Sequence, residues 1–391
     1  VNYNLTARNG RRVHTGLEVF LKKKAHRYAG RDAVLVTNHS GVDFSLRRNI
    51  DLLRNQGLRV SLVLAPEHGL YGHENEYDSN LYHAPERLNA VIYNLHHLEA
   101  PALRKLLGTA GVVIFDIQDM GMRCYTYVSN LKQVMDAMGG TETELIVLDR
   151  PNPLGFIGMD GPLLKKGFVS RFVSAFPSTF IYNMTMGEAA RYYRAFYTRD
   201  VNLKVVAMKN YRRDMMYHET GLPWVPPSPN LPTYESAVIY AALVMLEGVN
   251  LSVGRGTTKP FEYFGAPWIN PDELARGLEA LGLKNFRFRP VYFSPTFSKY
   301  SGMRCGGVQV FYVGGRFSPV EVSYRILSYM KGHYPGFRWE RHGGRYGVDF
   351  LAGTDAFRLG IDEGKPYERF KREMKEDLRA FDRRRKKALI Y

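Results

Sequence analysis

The residues best suited to chemistry come in short clusters, each directly behind an apolar run. Asn38, His39 and Ser40 follow Ala33–Thr37 (AVLVT), and Pro66, Glu67, His68 and Gly69 follow Val60–Ala65 (VSLVLA). Asp116, Gln118 and Asp119 close the run Val112–Ile117 (VVIFDI); Asp149, Arg150, Pro151 and Asn152 close Leu145–Leu148 (LIVL). A carboxylate such as Glu67, at the end of an apolar run beside a partly enclosed cleft, can serve as a general acid. A second carboxylate, Asp116 or Asp119, would then activate water or attack, the division of labour that glycosyl transfer to water requires. The same acids could instead gather a hard divalent cation. Two features argue against that. His39 and His68 stand singly, and Gln118, Arg150 and Asn152 interleave with the acids, where Arg150 would repel a cation. The expectation is a hydrolytic site with no metal and no cofactor.

Absent fingerprints narrow the chemistry further. No G-x-G-x-x-G follows the first apolar run, there is no G-x-S-x-G elbow, and there is no H-E-x-x-H. Gly254–Lys259 (GRGTTK) departs from the phosphate-loop pattern. Its cations, Arg255 and Lys259, suit a substrate carboxylate.

Elements that alternate must position these clusters. Helical spacing is expected over Arg47–Gln56, Pro101–Leu107 and Val128–Met138, each between apolar runs. Runs apolar on both faces, alternating with helices, predict a parallel sheet covered on both sides, with ligands outside the carboxyl ends of its strands. Thr185–Glu188 is a capping box opening a helix to about Tyr197. Gly221–Pro232 (GLPWVPPSPNLP) carries five prolines between positions 223 and 232, too dense for helix or central strand. With Trp224, Ser228 and Asn230 interleaved, it suits the wall of a cleft. Beyond about 280 short alternating runs such as Gly307–Val313 (GVQVFYV) predict antiparallel strands. The expected organisation is a Rossmann-like α/β domain over 1–275 and a smaller α+β auxiliary domain over 276–391.

Composition sets outer bounds. The chain has 391 residues, enough for two or three domains at roughly 150 residues each. Its formal net charge of +16 points to anionic partners. Part of that charge is local, since 369–387 holds ten Lys and Arg against four Asp and Glu. Phe370, Met374, Leu378 and Phe381 mark there one apolar stripe on an otherwise solvated helix. No nucleic-acid motif accompanies the charge, so a nucleic-acid partner is not expected. No run approaches the length of a transmembrane helix. The two cysteines, Cys124 and Cys305, have no metal-ligand spacing, and a disulfide is not expected.

Longer motifs resemble a known family. TNHSGVD (37–43), APEHGLYG (65–72), FDIQDMGMRCYTY (115–127), VLDRPNPLG (147–155), GLPWVPPSPNLPT (221–233) and EGVNLSVGRGTTKPFEYFGAPW (247–268) resemble the bacterial exo-β-N-acetylmuramidase family. FSPTFSKYSGMRCGGVQV (293–310) and FLAGTDAFR (350–358) resemble its C-terminal part. The resemblance implies a peptidoglycan glycoside hydrolase, with its site in a cleft between a Rossmann-like domain and an auxiliary domain. It implies removal of N-acetylmuramic acid from non-reducing ends of peptidoglycan fragments or muramyl-glucosaminyl oligosaccharides. Glu67, in the PEHG motif, becomes the catalytic carboxylate, with Asp116 or Asp119 as the second group. The motifs also place Asn38, His39, His68, Gln118, Arg123, Tyr125, Tyr127, Asp149, Arg150, Asn152, Asn230, Asn250 and Glu262 among substrate-binding candidates, with Tyr125, Tyr127 and Trp224 suited to the apolar side of the muramic acid ring and Arg123 or Arg150, beside Arg255 and Lys259, to its lactyl carboxylate. The run His73–Asp78 (HENEYD) is more acidic and aromatic than the small-residue loop usual after PEHG. The competing readings are a catalytically silent glycan-binding protein with the same cleft, and a metal-dependent hydrolase of another bond. A peptidoglycan substrate implies a periplasmic or secreted location. The chain opens at Val1 with no apolar leader, as expected of a processed or trimmed chain.

Overall fold

The computed structural model describes residues 7, 10–74 and 88–391. Of the acidic run 73–78, positions 75–78 therefore lie outside the described residues. Six strands form one parallel sheet: β1 (Asp32–Thr37), β2 (Arg59–Ala65), β3 (Val91–Asn94), β4 (Val112–Asp116), β5 (Leu145–Leu148) and β6 (Leu203–Val206). Every residue of β4 and β5 is buried, which is why both read as unbroken apolar runs. The strand order is β3-β2-β1-β4-β5-β6, the doubly wound arrangement. The four central strands match the four apolar runs. β3 and β6 were not legible in that way. They are four-residue edge strands with partly exposed positions, so their apolar pattern is interrupted.

Helices α1 (Gly16–Lys23), α2 (Asn49–Asn55), α3 (Ala100–Gly108), α4 (Tyr127–Met138) and α5 (Met186–Phe196) belong to the same unit. Capping boxes start two of them. Thr15 and Glu18 satisfy the first turn of α1, and Thr185 and Glu188 do so for α5. Leu17 and Phe20 of α1 and Ile50 and Leu53 of α2 share a core with Leu35, Val63, Ile114 and Ile146 of the sheet.

The chain divides into two compact units. The first comprises the described residues up to Phe156 with Asn183–Pro229 and Asp382–Tyr391; the second comprises Ile157–Tyr182 and Asn230–Phe381. The change of texture near 275–280 falls inside the second unit. It marks the passage from helix to antiparallel sheet. That unit holds α6 (Tyr234–Leu243), β7 (Tyr263–Ala266), α7 (Pro271–Ala280), β8 (Phe286–Phe293), β9 (Cys305–Tyr312) and α8 (Pro319–His333). Its antiparallel sheet runs β7-β9-β8 and packs against α7. Three further helices follow: α9 (Gly347–Ala352), α10 (Ala356–Asp362) and α11 (Tyr367–Arg385), whose last turn lies in the first unit. Phe370, Met374 and Phe381 are buried, so the stripe read from sequence is the packed face of α11. Phe370 stacks on Tyr324 of α8 at 5.3 Å between centroids. Both cysteines are free and buried.

Candidate active site

The strand order reverses between β1 and β4, which pair in register through Val36–Phe115 and Thr37–Asp116. Neighbouring connections there leave toward opposite faces and open a crevice at the carboxyl ends. Side chains lace this edge together. Asn38 Oδ1 accepts from the Ser40 N–H and hydroxyl, at 3.0 and 2.6 Å, the geometry of an Asx turn. Ser40 Oγ in turn accepts the Gln118 N–H at 3.0 Å, joining the end of β1 to that of β4. The Gln118 amide donates to the carbonyls of Asp119 and Pro151, joining β4 to β5.

Several sequence candidates are part of this scaffold. Asp116 is fully buried. Arg150 grips it with Nε at 2.6 Å and a second nitrogen at 3.0 Å, and Asn49 Nδ2 donates to Oδ2 at 2.8 Å. Burial pulls the Arg150 guanidinium down, and the Asp116 charge and hydrogen bonds outweigh it, leaving Arg150 above its ordinary value. Asp149, also fully buried, sits at the N-terminus of α5. It accepts from the N–H groups of Arg150 and Gly187 and from the hydroxyls of Thr185 and Tyr391. Burial, and then the neighbouring Glu188 charge, push its carboxyl up to about 7. Asn152 accepts the Leu154 N–H and donates to Met184 O. Arg123 is fully buried, and burial pulls it down to about 10.

Glu67 stands differently. It follows β2 after Pro66, is half-buried, and accepts one side-chain hydrogen bond, from Thr126 Oγ1 to Oε2 at 2.7 Å. Next to Thr126, the Tyr127 hydroxyl accepts from Asn38 Nδ2 at 3.0 Å and donates to Pro227 O at 2.5 Å. The Tyr125 ring meets Tyr127 edge-on at 4.7 Å. Burial drives the Tyr127 phenol far above its ordinary value, and the charges of Glu67 and Asp119 add to that. Both carboxylates therefore act electrostatically on one phenol. Asp119 Oδ2 accepts the Gly121 N–H at 2.6 Å. Gly121 has φ +77°, and a Cβ there would fall 2.2 Å from Asn152 Oδ1, so only glycine fits this bend.

The Pro-rich segment supplies carbonyls rather than donors, as proline must. Pro226 O bonds His39 Nε2 at 2.5 Å, and the Ser228 hydroxyl lies 3.2 Å from His68 Nε2. His68 holds a left-handed φ of 67° and bonds Glu74 O through Nδ1 at 2.8 Å. Burial lowers the His39 imidazole, the Pro226 carbonyl opposes this, and the nearby His68 adds to the lowering. The segment up to Pro229 thus walls the strand ends, as its composition implied.

Asn38, His39, Glu67, His68, Gln118, Asp119, Tyr125 and Tyr127 come together at this edge. Asn230, Asn250, Arg255, Lys259 and Glu262 belong to the second unit. There Asn250 bonds Gly336 O and the Arg338 N–H, Arg255 pairs with Glu247 at 3.4 Å, and Lys259 pairs with Glu262 at 2.9 Å. Thr126 and Asn49 were not singled out from the sequence. Thr126 lies within the CYTY run, and its position at a helix start was the available signal. Among the described residues no three His, Cys, Asp or Glu side chains gather closely enough to hold a metal ion.

A doubly wound sheet whose switch-point crevice presents a half-buried glutamate beside a second acid and two tyrosines defines a Rossmann-like hydrolase of polar substrates. Two family descriptions span the chain: exo-beta-N-acetylmuramidase NamZ, N-terminal, over residues 33–235, and its C-terminal counterpart over 238–391. The chain belongs to the exo-β-N-acetylmuramidase NamZ family. It is 36% identical over 391 residues to the peptidoglycan beta-N-acetylmuramidase NamZ of Bacillus subtilis (strain 168), spanning 99% of this chain and 93% of that one. A DUF1343 family protein from Bacteroides fragilis NCTC 9343 superposes with a TM-score of 0.87 at 30% identity, covering 97% of this chain and 99% of that one. A second such protein from the same organism gives 0.75 at 26% identity, with the same coverage.

Proposed function

We infer that this protein is an exo-acting glycoside hydrolase that releases N-acetylmuramic acid from the non-reducing ends of peptidoglycan fragments. The observation that carries the catalytic assignment is Glu67: a half-buried carboxyl at the switch point, anchored through Oε2, with Oε1 left for substrate. In the proposed reaction Glu67 delivers its proton to the glycosidic oxygen. The C–O bond breaks with its electrons on that oxygen, and positive charge develops at the anomeric carbon. Asp119, whose charge acts on the same phenol as that of Glu67, is the second acid, because both Asp116 oxygens are engaged by Arg150 and Asn49. The hydroxide part of a water molecule ends on the anomeric carbon, and its remaining proton passes to the carboxylates, which restores protonated Glu67 for the next turnover. Tyr125 and Tyr127 shape the crevice.

We propose that the lactyl carboxylate pairs with a cation other than Arg150, which is committed to Asp116; Arg123, Arg255 and Lys259 are the candidates. Such a substrate lies outside the cytoplasm, so we propose a periplasmic or secreted protein. Among the described residues no helix is long and apolar enough to cross a membrane.

The test is release of free N-acetylmuramic acid from a muramyl-glucosaminyl disaccharide by wild type and by Glu67→Gln. Loss of about 10²–10⁴-fold in kcat is expected, the usual scale for general acid catalysis. Near-normal turnover by the variant would remove Glu67 from the mechanism. A glycan-binding protein without activity would show no release even in the wild type.

A further inference from the structure

We propose that Thr126 is a positioning residue that selects which oxygen of Glu67 carries the catalytic proton; the proposal rests on the assignment of Glu67 as the acid. Thr126 stands at the start of α4 with helical dihedrals (φ −68°, ψ −14°), so its side chain does not cap the first turn, as an extended N-cap threonine would. Its hydroxyl is instead turned to Glu67 Oε2, at 2.7 Å, so the donor at the helix start is directed at a half-buried acid.

The donor is held firmly from both sides. Thr126 is 8% exposed and β-branched, which restricts its rotamers. Its neighbour Tyr127 is locked between Asn38 Nδ2 and Pro227 O, and the Tyr125 ring packs edge-on against it. The Thr126 hydroxyl therefore has a fixed origin on a helix pinned to β1 and to the Pro-rich segment. A carboxyl that accepts this bond through Oε2 presents Oε2 as its carbonyl-like oxygen. The proton then resides on Oε1, which is directed to the glycosidic oxygen. When the proton leaves, the resulting carboxylate keeps the same anchor, so the group does not rotate between the two halves of the reaction.

The experiment compares Thr126→Val, which keeps shape and loses the donor, with Thr126→Ser, which keeps the donor. Each is assayed on the natural disaccharide and on an aryl N-acetylmuraminide whose leaving group needs little protonation. For Thr126→Val, kcat on the disaccharide should fall about 10–100-fold with KM little changed, as misplacement of a reacting group does. The deficit should shrink on the aryl substrate, and Thr126→Ser should restore most of the activity. In a Glu67→Gln background, Thr126→Val should cost little more, because both changes remove one function. Wild-type kcat in Thr126→Val beside an inactive Glu67→Gln would overturn the role of Thr126. So would an equal loss on both substrates that serine does not rescue, which is the mark of a merely structural residue. Activity in Glu67→Gln would instead overturn the assignment beneath it, and the two failures are read from different variants.

Discussion

Asp116→Asn separates scaffold from catalysis at the switch point. Asp116 and Arg150 are joined at 2.6 Å with side-chain exposures of 0 and 6%, so neither charge is relieved by water. The change removes the negative partner and leaves the guanidinium buried. Of its bonds to this region, the one to Val42 O survives. The introduced amide must also turn its NH₂ toward Arg150 or toward Asn49 Nδ2, and both of these are donors. Removing one member of a buried ion pair costs about 3–5 kcal/mol. That is a large share of the roughly 5–15 kcal/mol that holds a domain folded. At a few degrees per kcal/mol for a unit of this size, the melting temperature should fall by roughly 10 °C. Asp119→Asn keeps a side-chain oxygen to accept the Gly121 N–H, and should lose most of its turnover while losing less stability than Asp116→Asn. The assay is thermal or urea unfolding of both variants, beside muramic acid release measured well below either melting point. The double variant Asp116→Asn/Arg150→Met, which removes both charges, should regain part of the loss. The reasoning fails if Asp116→Asn melts with the wild type and is inactive, because Asp116 would then act in the chemistry rather than in the scaffold.

Asp149 gives a pH dependence of known sign. Burial raises its carboxyl from 3.8 to about 7, so its contribution to stability is fully present below about pH 4 and is lost as pH rises through about 7. At 1.36 kcal/mol per pH unit the loss reaches about 4 kcal/mol by pH 8. Asp149→Asn should therefore gain in melting temperature relative to wild type between pH 5 and pH 8, and a difference that stays flat across that range contradicts the assignment. Digestion of polymeric glycan strands should release monosaccharide steadily both with and without EDTA. An early fall in polymer length would contradict exo action, and loss of activity with EDTA that added metal restores would contradict metal-independent hydrolysis.

The parallel α/β class was legible because it depends on local pattern. β4 and β5 are buried on both faces, so their residues must be apolar throughout, and the alternation with α2, α3 and α4 appears directly in the chain. Thr185–Glu188 announced α5 by the same local logic, since both halves of a capping box lie within one turn. The edge strands β3 and β6 escaped because partial exposure removes the apolar requirement that made the others visible. The convergence of the clusters behind the strands was also legible, because the carboxyl ends of a parallel sheet bring such groups together. Their individual roles were not. Asp116, Asp149 and Glu67 are all acids behind apolar runs, and nothing in their neighbours along the chain tells them apart. Asp116 becomes a strut through Arg150 and Asn49, and Asp149 becomes a helix cap through Thr185 and Gly187. Glu67 is anchored through Oε2 by a threonine 59 residues away in the chain, which fits it to the proposed role of acid. The periodicity of a backbone is decided by neighbours in sequence, and this protein's sequence carried it. Whether a carboxylate is a strut or an acid is decided by desolvation and by partners from other strands, and those exist only once the sheet has brought them together.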